Sequence, residues 1–178
     1  VVSDFRWKDR SVKQYLFRTD RDNPDPKVLF EYSSENLYGL PGDFVTAPNA
    51  RNRWVLLTGK DGSKLYLEGE GYSPEGNRPF LDEYDLKAAK TSRLWRADGV
   101  ATYEQLVRVL EVDKKKELLT RIQGPKTFPN YFLRRIGSKD APRPITFLEN
   151  PFKALDAVRK QKIKYRRADG VDLSADLL

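Results

Sequence analysis

A chain of 178 residues, 39% hydrophobic and 33% charged, is long enough for one domain or a large part of one, with a thin core. Its formal charge of +7 raises nucleic acid or an acidic partner as candidates, whereas the complete lack of Cys and His excludes disulfides, thiolate or imidazole zinc sites, Cys-His dyads and a Ser-His-Asp triad within it. No run approaches the roughly twenty apolar residues needed to span a bilayer, so we expect no membrane partner. No secretory signal is visible in a chain that starts Val1-Val2, and the compartment stays open.

The abundance of Gly, Pro, Tyr, Phe, Val and Leu favours strands joined by tight turns. Taken in order, Gln14–Asp20 and Lys27–Tyr32 read as two strands around a Pro/Asp-rich turn. That turn, with Glu31 beyond it, superficially mimics a calcium loop. However, Asp25 stands where the loop needs glycine and Pro24 precedes it, so no metal is expected. Arg53–Thr58 and Lys64–Leu67 flank Gly59-Lys-Asp-Gly62, a hairpin signal. The glycines there are not a phosphate loop, because no helix follows.

Ser73-Pro-Glu-Gly76 dictates a turn, with a substrate-touching loop as the alternative. Arg78–Leu86 and Thr91–Arg96 form the next strand pair, and Tyr103–Leu110 with Glu117–Ile122 another, closed by the charged tip Lys114-Lys115-Lys116. Asn130–Ile136 and Arg143–Leu148 repeat the first motif. Copies of that motif begin near residues 14, 79 and 130, a spacing of about 50 to 65 residues that suits enlarged propeller blades. The expected fold is therefore all-β: a partial β-propeller of four-stranded antiparallel blades, about two complete and part of a third. Trp7, Trp54 and Trp95 are assigned to blade cores or inter-blade packing.

Beyond the blades, Asn150-Pro151 is a good helix start, and Phe152, Leu155 and Val158 recur every third residue, which predicts a short helical linker. Tyr165 and Arg167 lead into Asp169-Gly170, the preferred dipeptide of a two-residue hairpin turn. Val171, Leu173 and Ala175 then alternate with polar residues and end on Leu177-Leu178, as though cut from a longer polypeptide.

Gly71–Asp82, with Tyr84-Asp85-Leu86, Arg93-Leu-Trp-Arg96 and Pro129–Arg134, resembles the propeller of the prolyl oligopeptidase family of serine peptidases, and most of all its glutamyl endopeptidase branch of bacteria and plant chloroplasts. Lys164–Leu178 resembles the strand pair that opens that family's α/β-hydrolase domain. The resemblance implies three parts: propeller blades over 1–150, a linker over 151–162, and over 163–178 the opening hairpin of a truncated hydrolase domain. It further implies a Ser-His-Asp triad beyond Leu178, a peptide substrate cleaved after Glu, no cofactor, and a propeller that gates access. This chain would hold no catalytic residue of its own.

A peptidase preferring Glu needs cations near the bound carboxylate. Arg78, Arg53 and Arg134 are the candidate substrate-binding residues, with Arg51 and Arg135 behind them and Arg78 first. The competing reading makes each a solvated arginine whose stem covers apolar surface. Two other functions compete with the peptidase. A stand-alone basic β-rich module would bind acidic partners or nucleic acid. A carboxylate-based hydrolase would use Asp82/Glu83 or Asp43/Glu68. Scattered positive charge argues against a nucleic-acid partner, and unpaired sheet edges predict self-association or packing against the rest of a longer protein.

Overall fold

The computed structural model describes residues 1–17, 22, 25–99, 101–155 and 157–177. The turn that mimics a calcium loop lies largely outside the described residues. The chain divides into two compact units, Val1–Phe147 and Leu148–Leu178.

In the first unit, β1 (Val2–Arg6), β2 (Ser11–Leu16) and β3 (Lys27–Ser33) form a three-stranded antiparallel meander. Next come β4 (Asp43–Phe44), β5 (Thr46–Pro48), β6 (Trp54–Leu56), β7 (Lys64–Gly69), β8 (Phe80–Asp85) and β9 (Lys90–Arg96). Of these, β4, β7, β8 and β9 make a four-stranded sheet in that order, while β5 and β6 pair only with each other. A second four-stranded sheet follows, from β10 (Tyr103–Glu111), β11 (Glu117–Gly124), β12 (Thr127–Arg135) and β13 (Arg143–Pro144). The expected four-stranded antiparallel blades are thus borne out in an all-β chain.

Period-two patterning explains how the sheets stack. Leu65, Tyr66 and Leu67 on β7 are 2%, 2% and 0% exposed, so this strand is covered on both faces. Leu65 and Leu67, with Tyr84, meet Leu29 of the first sheet. Tyr66, with Val45, Leu81 and Trp95, meets Val109, Leu118 and Ile136 at the third sheet. The β4-β7-β8-β9 sheet therefore lies between two others, face to face. Each fully buried side chain of this kind contributes about 1.5–3 kcal/mol.

Two sequence expectations are corrected here. The hairpin read across Arg53–Thr58 and Lys64–Leu67 survives only as the bridge Thr58–Leu65, with Gly59 N–H donating to Lys64 O at 3.1 Å. Instead, the Asn49 side chain accepts from Arg51 N (2.9 Å) and Arg53 N (3.1 Å), closing a turn that pairs β6 with β5. The edge of β7 that this hairpin would have used is taken by β4, where Asp43 faces Glu68 and Phe44 faces Leu67. Tryptophan placement is corrected too. Trp95 is core at 8% exposure, but Trp7 and Trp54 are 73% and 63% exposed. Their rings carry guanidinium groups instead, with Arg10 4.3 Å from the Trp7 centroid and Arg108 5.5 Å from that of Trp54.

In the second unit the linker helix reduces to a single 3-10 turn, Lys153–Leu155. Asn150 Oδ1 accepts from Phe152 N at 2.9 Å, so the capping signal was real. None of that turn's residues is buried, and a helix without a packed face does not propagate from one turn. The terminal hairpin forms as expected, from β14 (Gln161–Arg166) and β15 (Asp172–Leu177). Its turn differs. Gly170 N donates to Arg167 O and Arg167 N to Val171 O, both at 2.9 Å, which makes a three-residue loop with Gly170 at φ 88° as the left-handed residue.

Candidate functional site

The resemblance-bearing segment between β7 and β8 forms a constrained loop in the first unit. Gly71 sits at φ 59°, and a Cβ there would stand 2.0 Å from Arg78 O, so only glycine permits Arg78 N to donate to Gly71 O at 3.0 Å. Within the loop, Gly76 N donates to Ser73 O at 3.0 Å, and Ser73 Oγ lies 2.7 Å from Gly76 O. Ser73-Pro-Glu-Gly76 is therefore a self-contained turn. Glu70 anchors its base, accepting from Tyr103 Oη at 2.7 Å and Asn77 Nδ2 at 3.1 Å. Burial, then the bond to Glu70, pushes the Tyr103 hydroxyl well above its ordinary pKa. The loop is thus pinned to β10 of the neighbouring sheet.

A hollow lies on each side of this anchor. One, of about 320 Å³, is walled by Tyr32, Tyr38, Tyr72 and Phe80, with Asp43, Glu70, Arg93 and Arg96 also on its lining. The other, of about 440 Å³, runs from Gly76 and Asn77 past Gly99 to Tyr103, Gly124 and Pro129. In the first, Arg93 donates through Nε and Nη2 to the carboxylate of Asp82, which is 5% exposed, and its guanidinium carbon stands 4.2 Å from the Phe80 ring centroid.

The five arginines named from sequence do not converge. Arg53 and Arg51 are exposed in the β5–β6 turn. Arg78 is half-buried, its stem against Gly99, where a Cβ would approach Arg78 Cγ to 2.9 Å. Neither Arg78 nor Arg53 has an ion-pair partner among the described residues. Arg134 is different: Nε and Nη2 each donate at 2.8 Å to Glu104, whose side chain is 8% exposed. Its fork is filled by an internal carboxylate. Arg135 is exposed beside it. Sequence reasoning passed over Arg93 and Arg96 as site residues, although both lie in the quoted Arg93-Leu-Trp-Arg96. The signal was hidden because two residues three apart on a regular strand point to opposite faces.

Several of the charged features behind the rival readings have local partners. Glu111 accepts from the amides of Asp113 (2.7 Å) and Lys114 (2.8 and 2.9 Å) and from that of Lys115, so the lysine tip is a turn wrapped around a carboxylate. Those N–H groups pull the Glu111 carboxyl down to about 2. The basic residues of β14 and its flanks pair with acids on β15 and in the turn, including Lys160 with Asp176 (2.8 Å), Arg166 with Asp172 (3.1 Å) and Arg167 with Asp169 (2.6 Å). Asp82 and Glu83 are each paired with a cation, the second with Lys64 at 2.5 Å. Asp43 and Glu68 do meet across strands, and burial, then Asp43, raises the Glu68 pKa. No group of three or more acidic side chains among the described residues is placed to hold a metal.

Stacked four-stranded antiparallel sheets with a pinned inter-sheet loop define blades of a β-propeller. No protein-family model matches the chain. In an alignment 188 positions long that takes in 99% of this chain, it is 30% identical to a rice protein (Oryza sativa subsp. japonica) named "Probable glutamyl endopeptidase, chloroplastic". An Arabidopsis thaliana protein of the same name is 26% identical in an alignment of 187 positions, again taking in 99% of the chain. The resemblance to glutamyl endopeptidases therefore extends through both units. The chain spans 20% of the length of each relative.

Proposed function

We propose that this chain supplies propeller blades to a serine endopeptidase that cleaves peptides after Glu, and that it gates their access to a Ser-His-Asp triad outside the chain. The observation that carries this reading is similarity to glutamyl endopeptidases across 99% of the sequence. The absence of His and Cys fits it, because the nucleophile's base must then come from another part of the protein. There, a His-activated Ser would form the acyl-enzyme against an oxyanion hole, while the blades select what reaches it. We assign Arg78 a part in this selection: among the described residues no carboxylate pairs with its guanidinium, and it borders the pinned loop. Exposed apolar side chains of the first sheet, including Val2, Phe5 and Val28, suit packing against further parts of the same protein or a second copy.

The test compares the chain alone with a polypeptide extended past Leu178, using fluorogenic peptides with Glu or Gln before the scissile bond. Cleavage only by the extended form, and only after Glu, is expected. Cleavage by the chain alone, or an extended form lacking a Gly-x-Ser-x-Gly elbow and a later His, overturns the reading.

A further inference from the structure

The pairing of β8 with β9 contains one irregularity, and it falls at the hollow. Leu81 pairs with Trp95 but Asp82 pairs with Arg93, so Leu94 is an extra residue, a β-bulge. Without it Arg93 and Arg96 would point to opposite faces. With it, Arg93 lies opposite Asp82 and Arg96 opposite Phe80, two positions that share a face of β8. Both arginines accordingly line the 320 Å³ hollow. The bulge also leaves Trp95 and Ala97 in the core on the other face, so packing is kept while two cations converge.

The cations are held unequally. Arg93 spends Nε and Nη2 on Asp82, which leaves Nη1 with no acceptor among the described residues. It also lies over Phe80, and that ring is fixed by glycines: a Cβ on Gly69 would come within 2.8 Å of it, and one on Gly42 or Gly71 within 3.2 Å. Arg96 is exposed, and among the described residues no carboxylate pairs with it. Tyr32, Tyr38 and Tyr72 add amphipathic walls.

We propose that this hollow binds one acidic side chain of a peptide, its carboxylate taken by Arg96 and the Nη1 group of Arg93. The inference rests on the peptidase reading and adds the residues that select the acid. Glu70, on the same lining, is already bonded to Tyr103 and Asn77. Asp43 also lines the hollow and repels every incoming carboxylate, so each further acid in a run adds repulsion that the two arginines do not offset.

The experiment titrates the full chain with N-acetyl-Ala-Glu-Ala-amide, its Gln counterpart and free glutarate, by calorimetry. Binding of the Glu peptide about ten- to a hundredfold tighter than the Gln peptide is expected, as charge-assisted hydrogen bonds to a carboxylate should give. Arg96→Gln should remove that preference with the fold intact, and Arg93→Lys, which keeps a cation on Asp82, should weaken it. Lys90→Gln, on the same strand outside the hollow, should change nothing. Equal affinity for Glu and Gln peptides, an unaffected Arg96→Gln variant, or glutarate binding as tightly as the peptide each overturns the proposal. If the extended polypeptide cleaves after Glu with an unchanged KM in Arg96→Gln, this inference falls and the peptidase reading stands. Glu-selective binding without cleavage by the extended form does the reverse.

Discussion

Arg134 offers the sharpest separation of structural from substrate-binding roles. Its fork meets Glu104 at 2.8 Å through both Nε and Nη2, with side-chain exposures of 19% and 8%. Replacing Arg134 with Ala strands a carboxylate that has lost most of its water, and breaking one partner of such a pair costs about 3–5 kcal/mol. For a domain of this size that is roughly 6–20 °C in Tm. Replacing both, as Arg134→Met with Glu104→Leu, removes the stranded charge and should recover most of the loss, because the desolvation cost disappears with the pair. Urea unfolding followed by tryptophan fluorescence, on wild type, Arg134→Ala, Arg134→Met, Glu104→Leu and the double variant, closes the cycle. A loss below about 1 kcal/mol for Arg134→Ala would refute the reasoning, since that is the range of a solvent-exposed pair. So would unchanged stability combined with weakened peptide binding, which would return Arg134 to the substrate.

Three further outcomes follow from local geometry. Gly71→Ala places a Cβ 2.0 Å from Arg78 O at φ 59°, so the β7–β8 loop must shift; about 1–3 kcal/mol of stability should be lost, read by thermal unfolding. Glu111 has its carboxyl held near 2 by the turn amides, below the ordinary 4.5, so its stabilisation is present above pH 4.5 and fades as pH falls towards 2. The difference in urea midpoint between wild type and Glu111→Gln should therefore be full at pH 7 and close across that window. Glu68 behaves oppositely, because burial and the facing Asp43 raise its pKa and its charged form opposes folding. Glu68→Gln should thus gain about 0.2–1 kcal/mol at pH 7, with a smaller gain at pH 4, measured by the same unfolding assay.

Much of the blade pattern was legible because strands announce themselves through two-residue alternation and turn chemistry. The β8–β9 and β10–β11 hairpins emerged with the right partners, since each turn joins strands adjacent in sequence. The β5–β6 excursion did not, because Pro48 and Asn49 disguise a turn that depends on one side-chain oxygen accepting two amides. Trp54 misled for a related reason: its short hairpin pairs with neither four-stranded sheet, and the residue is 63% exposed. At the site, the sequence pointed to Arg78 and its loop, but it also offered Arg134, whose partner lies thirty residues away on β10.

The amino-acid sequence alone determined the all-β class, the blade period, the terminal hairpin and the absence of imidazole or thiol chemistry, all of which depend on residue type and near-neighbour order. Tertiary structure decided which arginines have carboxylates of their own and which remain open. It also decided that Arg93 and Arg96 share a face. The reason is physical: one bulged residue at Leu94 reverses the alternation that strand reading relies on, and only the register with β8 reveals it.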